Sequence, residues 1–129
     1  MSKQRVCLTI VSLTALALLA LGQPALAKDG DVLVRGTCTG KSTSKLKLSA
    51  ENGRIEVEFE VDQNRNGVPW TVVLTRNGTR VAQLSRVTKA PSGSFEARKV
   101  IANGAGADVV KATARRSGER CTARASFAR

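Results

Sequence analysis

The segment SKLKLSAENGRIEVEFEV, residues 44–61, constrains the fold more than any other part of the chain. Apolar and polar residues alternate on either side of Asn52-Gly53. Successive side chains of a strand point to opposite faces, so each half predicts a half-buried strand. Asn-Gly accepts the positive φ angles of a type I′ turn, whose twist suits a two-residue hairpin. Pairing residues whose numbers sum to 105 sets Leu48 opposite Val57 and Leu46 opposite Phe59. The same register sets Lys47 opposite Glu58, Lys45 opposite Glu60 and Glu51 opposite Arg54. Apolar residues share one face and charge pairs the other. A slip of one residue would turn the apolar set outward, so this register is firmly specified.

The same period runs through the rest of the chain. Strands are expected near 31–38, 44–50, 54–62, 69–76, 79–87, 94–102, 107–116 and 119–127. Asn77-Gly78 is a second hairpin tip. There Leu74 and Val81 can both point inward, but Val72 would then face Gln83, which predicts a bulge at an unspecified position. APSGSF (90–95) and NGAGAD (103–108) read as turns. The last strand sets Cys121, Ala123, Ala125 and Phe127 on one face and Thr122, Arg124 and Ser126 on the other. About eight short strands without a helical stripe predict an all-β domain: a small antiparallel β-sandwich, Ig-like in size. A small closed barrel is the alternative.

Residues 1–27 read as a cleaved signal peptide. Lys3 and Arg5 precede the apolar run VCLTIVSLTALALLALG, and QPALA supplies small residues at Ala25 and Ala27. The run lies at the lower edge for a membrane span, and Pro24 with the Ala-x-Ala flank favours cleavage over a retained anchor. Cys7 comes too early in the run for a lipoprotein. Residues 28–129 then form one secreted domain with no stable membrane span. Its two cysteines, Cys38 and Cys121, suggest a disulfide closing a long loop, with two separate thiols as the alternative.

The chain carries 21 Lys and Arg against 10 Asp and Glu, with no His and no Tyr. Losing Lys3 and Arg5 leaves it strongly cationic. Such a field draws anionic partners: wall polymers, acidic polysaccharide, DNA or anionic lipid. The absence of His removes the commonest general base and metal ligand. Arg115, Arg116, Arg120 and Arg124 cluster at the last hairpin, with Arg98 and Lys99 as further candidates. Together they form a candidate patch for phosphate or carboxylate polymers. Phe95 and Phe127 fall on inward positions and Trp70 is the sole tryptophan, so base stacking has little support and no specific nucleic-acid partner is expected.

Other motifs have simpler readings. DQNRNG (62–67) supplies Asp62, Asn64, Asn66 and Gly67 in the order of an EF-hand loop. Position 12 of that loop is Val73, and Arg65 stands among the ligands, so the segment reads as a strand connection and only a weak metal candidate. GTCTGKS (36–42) has three residues between its glycines where a phosphate loop has four, and no helix follows. Glu56, Glu58 and Glu60 lie about 6.6 Å apart along one strand face, but lysines oppose two of them, against glycosidase chemistry. No His is present to activate a serine. Asn77-Gly78-Thr79 matches a glycosylation sequon that the turn already explains.

IEVEFEVDQNRNGVPWTVVLTRNG, followed by APSGSFEAR and CTARASF, resembles small secreted actinobacterial proteins of unknown function. The resemblance covers nearly all of 28–129. It implies an exported β-sandwich and brings no activity, ligand or catalytic residue. The expectation is a non-enzymatic secreted module without a cofactor. It would bind an anionic cell-wall polymer or another protein. The second reading is an inhibitor or toxin-like effector acting through loops 62–69 and 89–94. Carboxylate-based enzymology is the third.

Overall fold

A computed structural model describes residues 30–128; the signal-peptide reading of 1–27, with Lys3, Arg5 and Cys7, lies outside them. Nine strands follow one another: β1 (Val32–Arg35), β2 (Thr37–Cys38), β3 (Thr43–Glu51), β4 (Arg54–Asp62), β5 (Pro69–Arg76), β6 (Thr79–Val87), β7 (Ser94–Ile101), β8 (Ala107–Arg116) and β9 (Glu119–Ala128). They form two antiparallel sheets, ordered β1-β3-β4-β7 and β2-β9-β8-β5-β6. The domain is a β-sandwich with open edges rather than a closed barrel. Among the described residues no helix is long and apolar enough to cross a membrane.

The 44–61 hairpin has the expected register. Leu48 faces Val57, Leu46 faces Phe59, Lys47 faces Glu58 and Lys45 faces Glu60. Asn52 and Gly53 both take positive φ, 46° and 75°, as a type I′ turn requires. The four apolar residues named are fully buried. They meet Trp70, Val72, Leu74, Val110, Ala112, Ala114 and Phe127 from the other sheet. The buried alanines of β8 and β9, Ala112, Ala114, Ala123 and Ala125, share this core with the bulkier residues of β3 and β4.

Two sequence expectations need correction. The first strand does not run unbroken over 31–38. It divides at Gly36, and β1 and β2 pair in different sheets. A Cβ at Gly36 would lie 2.2 Å from Ser44 Oγ and 2.7 Å from the Thr122 carbonyl oxygen, so the crossing is open only to glycine. In the β5–β6 hairpin Leu74 faces Ala82, not Val81, and Val72 faces Leu84, not Gln83. The bulge falls between Leu74 and Thr75 and skips Val81, which is left 37% exposed. Moving Val81 out restores an apolar inner face on both sides.

Cys38 and Cys121 form a disulfide, with Cα atoms 4.0 Å apart. They are direct partners in the β2–β9 ladder, so the bridge holds a two-residue edge strand to its neighbour. An immunoglobulin domain's bridge joins its two sheets instead.

Candidate functional site

The two outer faces of the sandwich differ sharply in charge. On the four-stranded sheet, β4 presents Glu56, Glu58, Glu60 and Asp62 beside Lys45 and Lys47 of β3 and Arg98 of β7. Lys45 lies 3.4 Å from Glu60, and Lys47 lies 3.4 Å from Glu58. Arg98 pairs with Glu56, and that contact is the first cause holding the Glu56 carboxyl below its ordinary value. Glu58 likewise raises the pKa of Lys47. Glu56, Glu58 and Glu60 are each ion-paired and Asp62 accepts the Asn64 amide, so none of these acids sits alone in an apolar pocket as a catalytic acid requires.

The five-stranded sheet is different. Its only acids, Asp108 and Glu119, are buried and face the interior. Its outer face carries Lys111 and Arg115 from β8, Arg120 and Arg124 from β9, and Arg80 from β6, all exposed. Lys111 stands directly opposite Arg124, and Arg115 directly opposite Arg120. Like charges facing one another across a ladder destabilise the sheet, so this arrangement works against folding. Among the described residues none of the five cations is in a salt bridge; Arg80 donates to the Gln83 side-chain oxygen at 3.1 Å. Thr113 faces Thr122 between the two cationic pairs, and Thr122 in turn faces Thr37. Thr71 and Thr75 flank the same rows on β5.

Local sequence produces this face. The Ser117-Gly118 turn fixes the β8–β9 register, with Arg116 opposite Glu119. Odd positions of β8 and even positions of β9 then face outward. The bulge that skips Val81 sets Arg80 opposite Thr75. Without it Val81 would take that place, so the bulge re-aims a cation onto the basic face. Arg80, Thr71, Val73, Thr113 and Arg115 line a shallow depression of about 280 Å³. A second, of about 270 Å³, lies beside it and includes Lys111 and Arg124.

No family model, no curated protein and no solved structure matches the chain.

Of the six basic residues singled out from sequence, Arg115, Arg120 and Arg124 share this face. Arg116 does not. It is on the inner side, its guanidinium 5.6 Å from the centre of the Trp70 ring and its Nη2 3.3 Å from Glu119. Arg98 and Lys99 belong to β7 of the opposite sheet, so they are not neighbours of the last hairpin. Lys99 stands opposite buried Val57, at an inward position on an edge strand, yet is exposed. A charge placed so discourages edge-to-edge pairing. Lys111, Arg80 and the threonines escaped the sequence reading. Lys111 was open to discovery: the register argument used for 44–61, applied about Ser117-Gly118, pairs it with Arg124.

The DQNRNG segment is a clamped connection. Asp62 Oδ1 accepts the Asn64 amide at 3.0 Å, and Asn64 takes φ 57°. The Thr88 hydroxyl donates to the Arg65 carbonyl at 2.6 Å and accepts the Val68 amide at 2.9 Å. Gln63 donates its amide to the Gly93 carbonyl, so loops 62–68 and 88–93 pack as one end of the sandwich. Among the described residues no three His, Cys, Asp or Glu side chains gather as a metal site. Asn66 is exposed, and Asp62 and Asn64 serve the turn.

The remaining motifs are used internally as well. Ser42, in the GTCTGKS segment, donates its amide and hydroxyl to the Glu119 carboxylate at 3.1 and 2.6 Å. Burial pushes the Glu119 pKa up, but the two Ser42 bonds and Arg116 outweigh it and the net direction is down. Asp108 accepts the Gly104 amide, Arg76 Nε and Asn77 Nδ2, and these hold its carboxyl below the ordinary value, Gly104 most of all. Asn77 Oδ1 accepts the Val109 amide. The sequon's side-chain amide is therefore occupied at the turn. Trp70, Phe59, Phe95 and Phe127 are all buried, so no aromatic ring is offered at the surface.

Proposed function

We propose that the protein is an exported, non-enzymatic module that binds anionic extracellular polymer through the outer face of its five-stranded sheet. The carrying observation is the pair of like-charge cross-strand contacts, Lys111 with Arg124 and Arg115 with Arg120, on a face without a carboxylate. The opposite face is mixed in charge: Lys45, Lys47 and Arg98 there have acidic partners, while exposed Arg35 stands opposite Lys45. Like charges also meet there at Glu60 with Glu96, but Lys45 pairs with Glu60, whereas the face of the five-stranded sheet holds no acid to offset its cations. An anion seated on the hairpin relieves the repulsion, so binding and stability are linked. Export is supported by the leader-like residues 1–27 and by the Cys38–Cys121 bridge, which persists best in an oxidising compartment.

The test is retention of purified protein on an immobilised polyanion across a salt gradient. The unaltered chain is expected to bind at low salt and elute as salt rises. Arg115→Glu with Arg120→Glu is expected to pass through unretained, while Arg54→Glu, off this face, elutes with the unaltered chain. Equal elution of all three would discard the proposed face. A second reading, an inhibitor acting through loops 62–69 and 89–94, draws support from the hydrogen bonds that hold those loops rigid. Such preorganisation favours tight protein binding. Loss of inhibition of every tested protease on deleting 64–66 would establish it, and no inhibition by the unaltered chain would remove it.

A further inference from the structure

Resting on that polyanion reading, we infer that the β8–β9 hairpin is a track for a linear polyol-phosphate chain, three consecutive phosphodiesters running along the strands. Three cross-strand pairs lie in line on its outer face: Arg115 with Arg120, Thr113 with Thr122, and Lys111 with Arg124. They occupy alternate positions, so neighbouring pairs are about 6.7 Å apart and the cationic pairs about 13 Å apart. Three backbone bonds of an extended chain span about 3.5 Å, so a repeat of six, as in a phosphodiester of a three-carbon polyol, spans about 7 Å. One phosphate therefore falls on each pair in turn.

The pairs also suit phosphate by shape. Partners in a cross-strand pair have Cβ atoms about 5 Å apart, so both side chains reach one anion from opposite sides. The two non-bridging oxygens of a phosphodiester diverge, and each of Arg115 and Arg120 can take one. A carboxylate presents both oxygens along one edge, which a single guanidinium fork satisfies. At the middle position Thr113 and Thr122 offer hydroxyl donors, each half-buried and fixed at χ1 by β-branching. A nucleic-acid strand has the same charge repeat. It is disfavoured because all four aromatic side chains of the chain are buried and its bases would find no stacking surface.

The experiment measures binding of the full chain to oligomers of glycerol phosphate of one to six repeats, with a polyuronate and single-stranded DNA alongside. Affinity is expected to climb to three phosphates and then to flatten. The slope of log affinity against log salt for three phosphates is expected near −1.4, from about 0.7 for each of the two phosphates that meet a cationic pair. Thr113→Val with Thr122→Val keeps β-branched shape and charge. It is expected to weaken glycerol-phosphate binding about tenfold, the worth of one charge-assisted hydrogen bond. Polyuronate binding should stay unchanged. Polyuronate bound as tightly as glycerol phosphate would overturn the phosphate track and leave the polyanion reading standing. Tighter binding to single-stranded DNA would replace the polyol with a nucleic acid. Binding to none of the three would remove both the track and the reading beneath it.

Discussion

Arg115 and Arg120 stand directly opposite each other in the β8–β9 ladder, with no carboxylate on their face to neutralise either. This contact opposes folding, so a stabilising substitution should exist at the same place that binding needs. Arg120→Glu turns a repulsive pair into an attractive one. It is expected to raise stability by about 0.5–1 kcal/mol, a few degrees in melting temperature for a domain of this size. The gain should shrink at high salt, where surface charges are screened. Thermal melts at two salt concentrations check this. A loss of stability at low salt would mean that the pair is not repulsive in the folded protein.

The loop end of the sandwich depends on one hydroxyl. Thr88 is 1% exposed, and its Oγ1 bonds both the Arg65 carbonyl and the Val68 amide. Thr88→Val keeps the shape and strands two backbone groups. The expected cost is about 2–4 kcal/mol, taking one to two for each unsatisfied group. Chemical denaturation measures it. Hydrogen exchange should quicken at 63–68 and 88–94 before anywhere else in the chain. A cost below a few tenths would show that water replaces the hydroxyl.

Acid should unfold the domain through three carboxylates. Glu56, Asp108 and Glu119 all have folded-state pKa values below their ordinary ones, 3.8 for Asp108 and 4.5 for the two glutamates. Such groups bind protons more tightly in the unfolded chain. Their stabilisation is complete above the unfolded values and drains away as pH falls through the folded ones. Melting temperature is therefore expected to hold level from about pH 7 to 5 and to fall below about pH 4. Asp108→Asn should flatten part of that fall and lower stability at neutral pH. An amide has one acceptor oxygen where Arg76, Asn77 and Gly104 engage two. An unchanged acid limb in this variant would move the effect to other groups.

The disulfide joins residues 83 positions apart and holds an edge strand of two residues. Closing a loop that long restrains the unfolded chain by about 4.5 kcal/mol in the entropic picture. Cys38→Ser with Cys121→Ser is expected to lose up to that much, with β2 and its neighbours fraying first. Denaturant midpoints of the two forms measure the difference. Equal midpoints would show that the ladder alone fixes β2.

Strand positions and the first hairpin were legible because period two and Asn-Gly are local signals. The bulge was legible as a conflict between Val72 and Gln83, but its place was not. Only the other sheet decides which of Val81 and Ala82 is covered. The division at Gly36 was hidden, since Thr37 and Cys38 continue the alternation of β1 while pairing across to β9. The basic cluster was half legible. Sequence proximity grouped Arg115 with Arg116, although neighbours on a strand face opposite ways. Sequence proximity also could not show that Arg98 and Lys99 belong to the other sheet. Lys111 was separable from the start by parity, whereas Arg80 reaches the face only through the bulge.

The central claim is that the outer face of the five-stranded sheet holds the protein on anionic envelope polymer. Its most direct test is fractionation of cells expressing the full chain, beside the Arg115→Glu, Arg120→Glu form. The account predicts the unaltered protein on the envelope at low salt and its release by a wash at about 0.5 M salt, where the Debye length is about 4 Å. It predicts the charge-reversed form free in the medium throughout. Unaltered and reversed forms in the same fraction at both salts would contradict it.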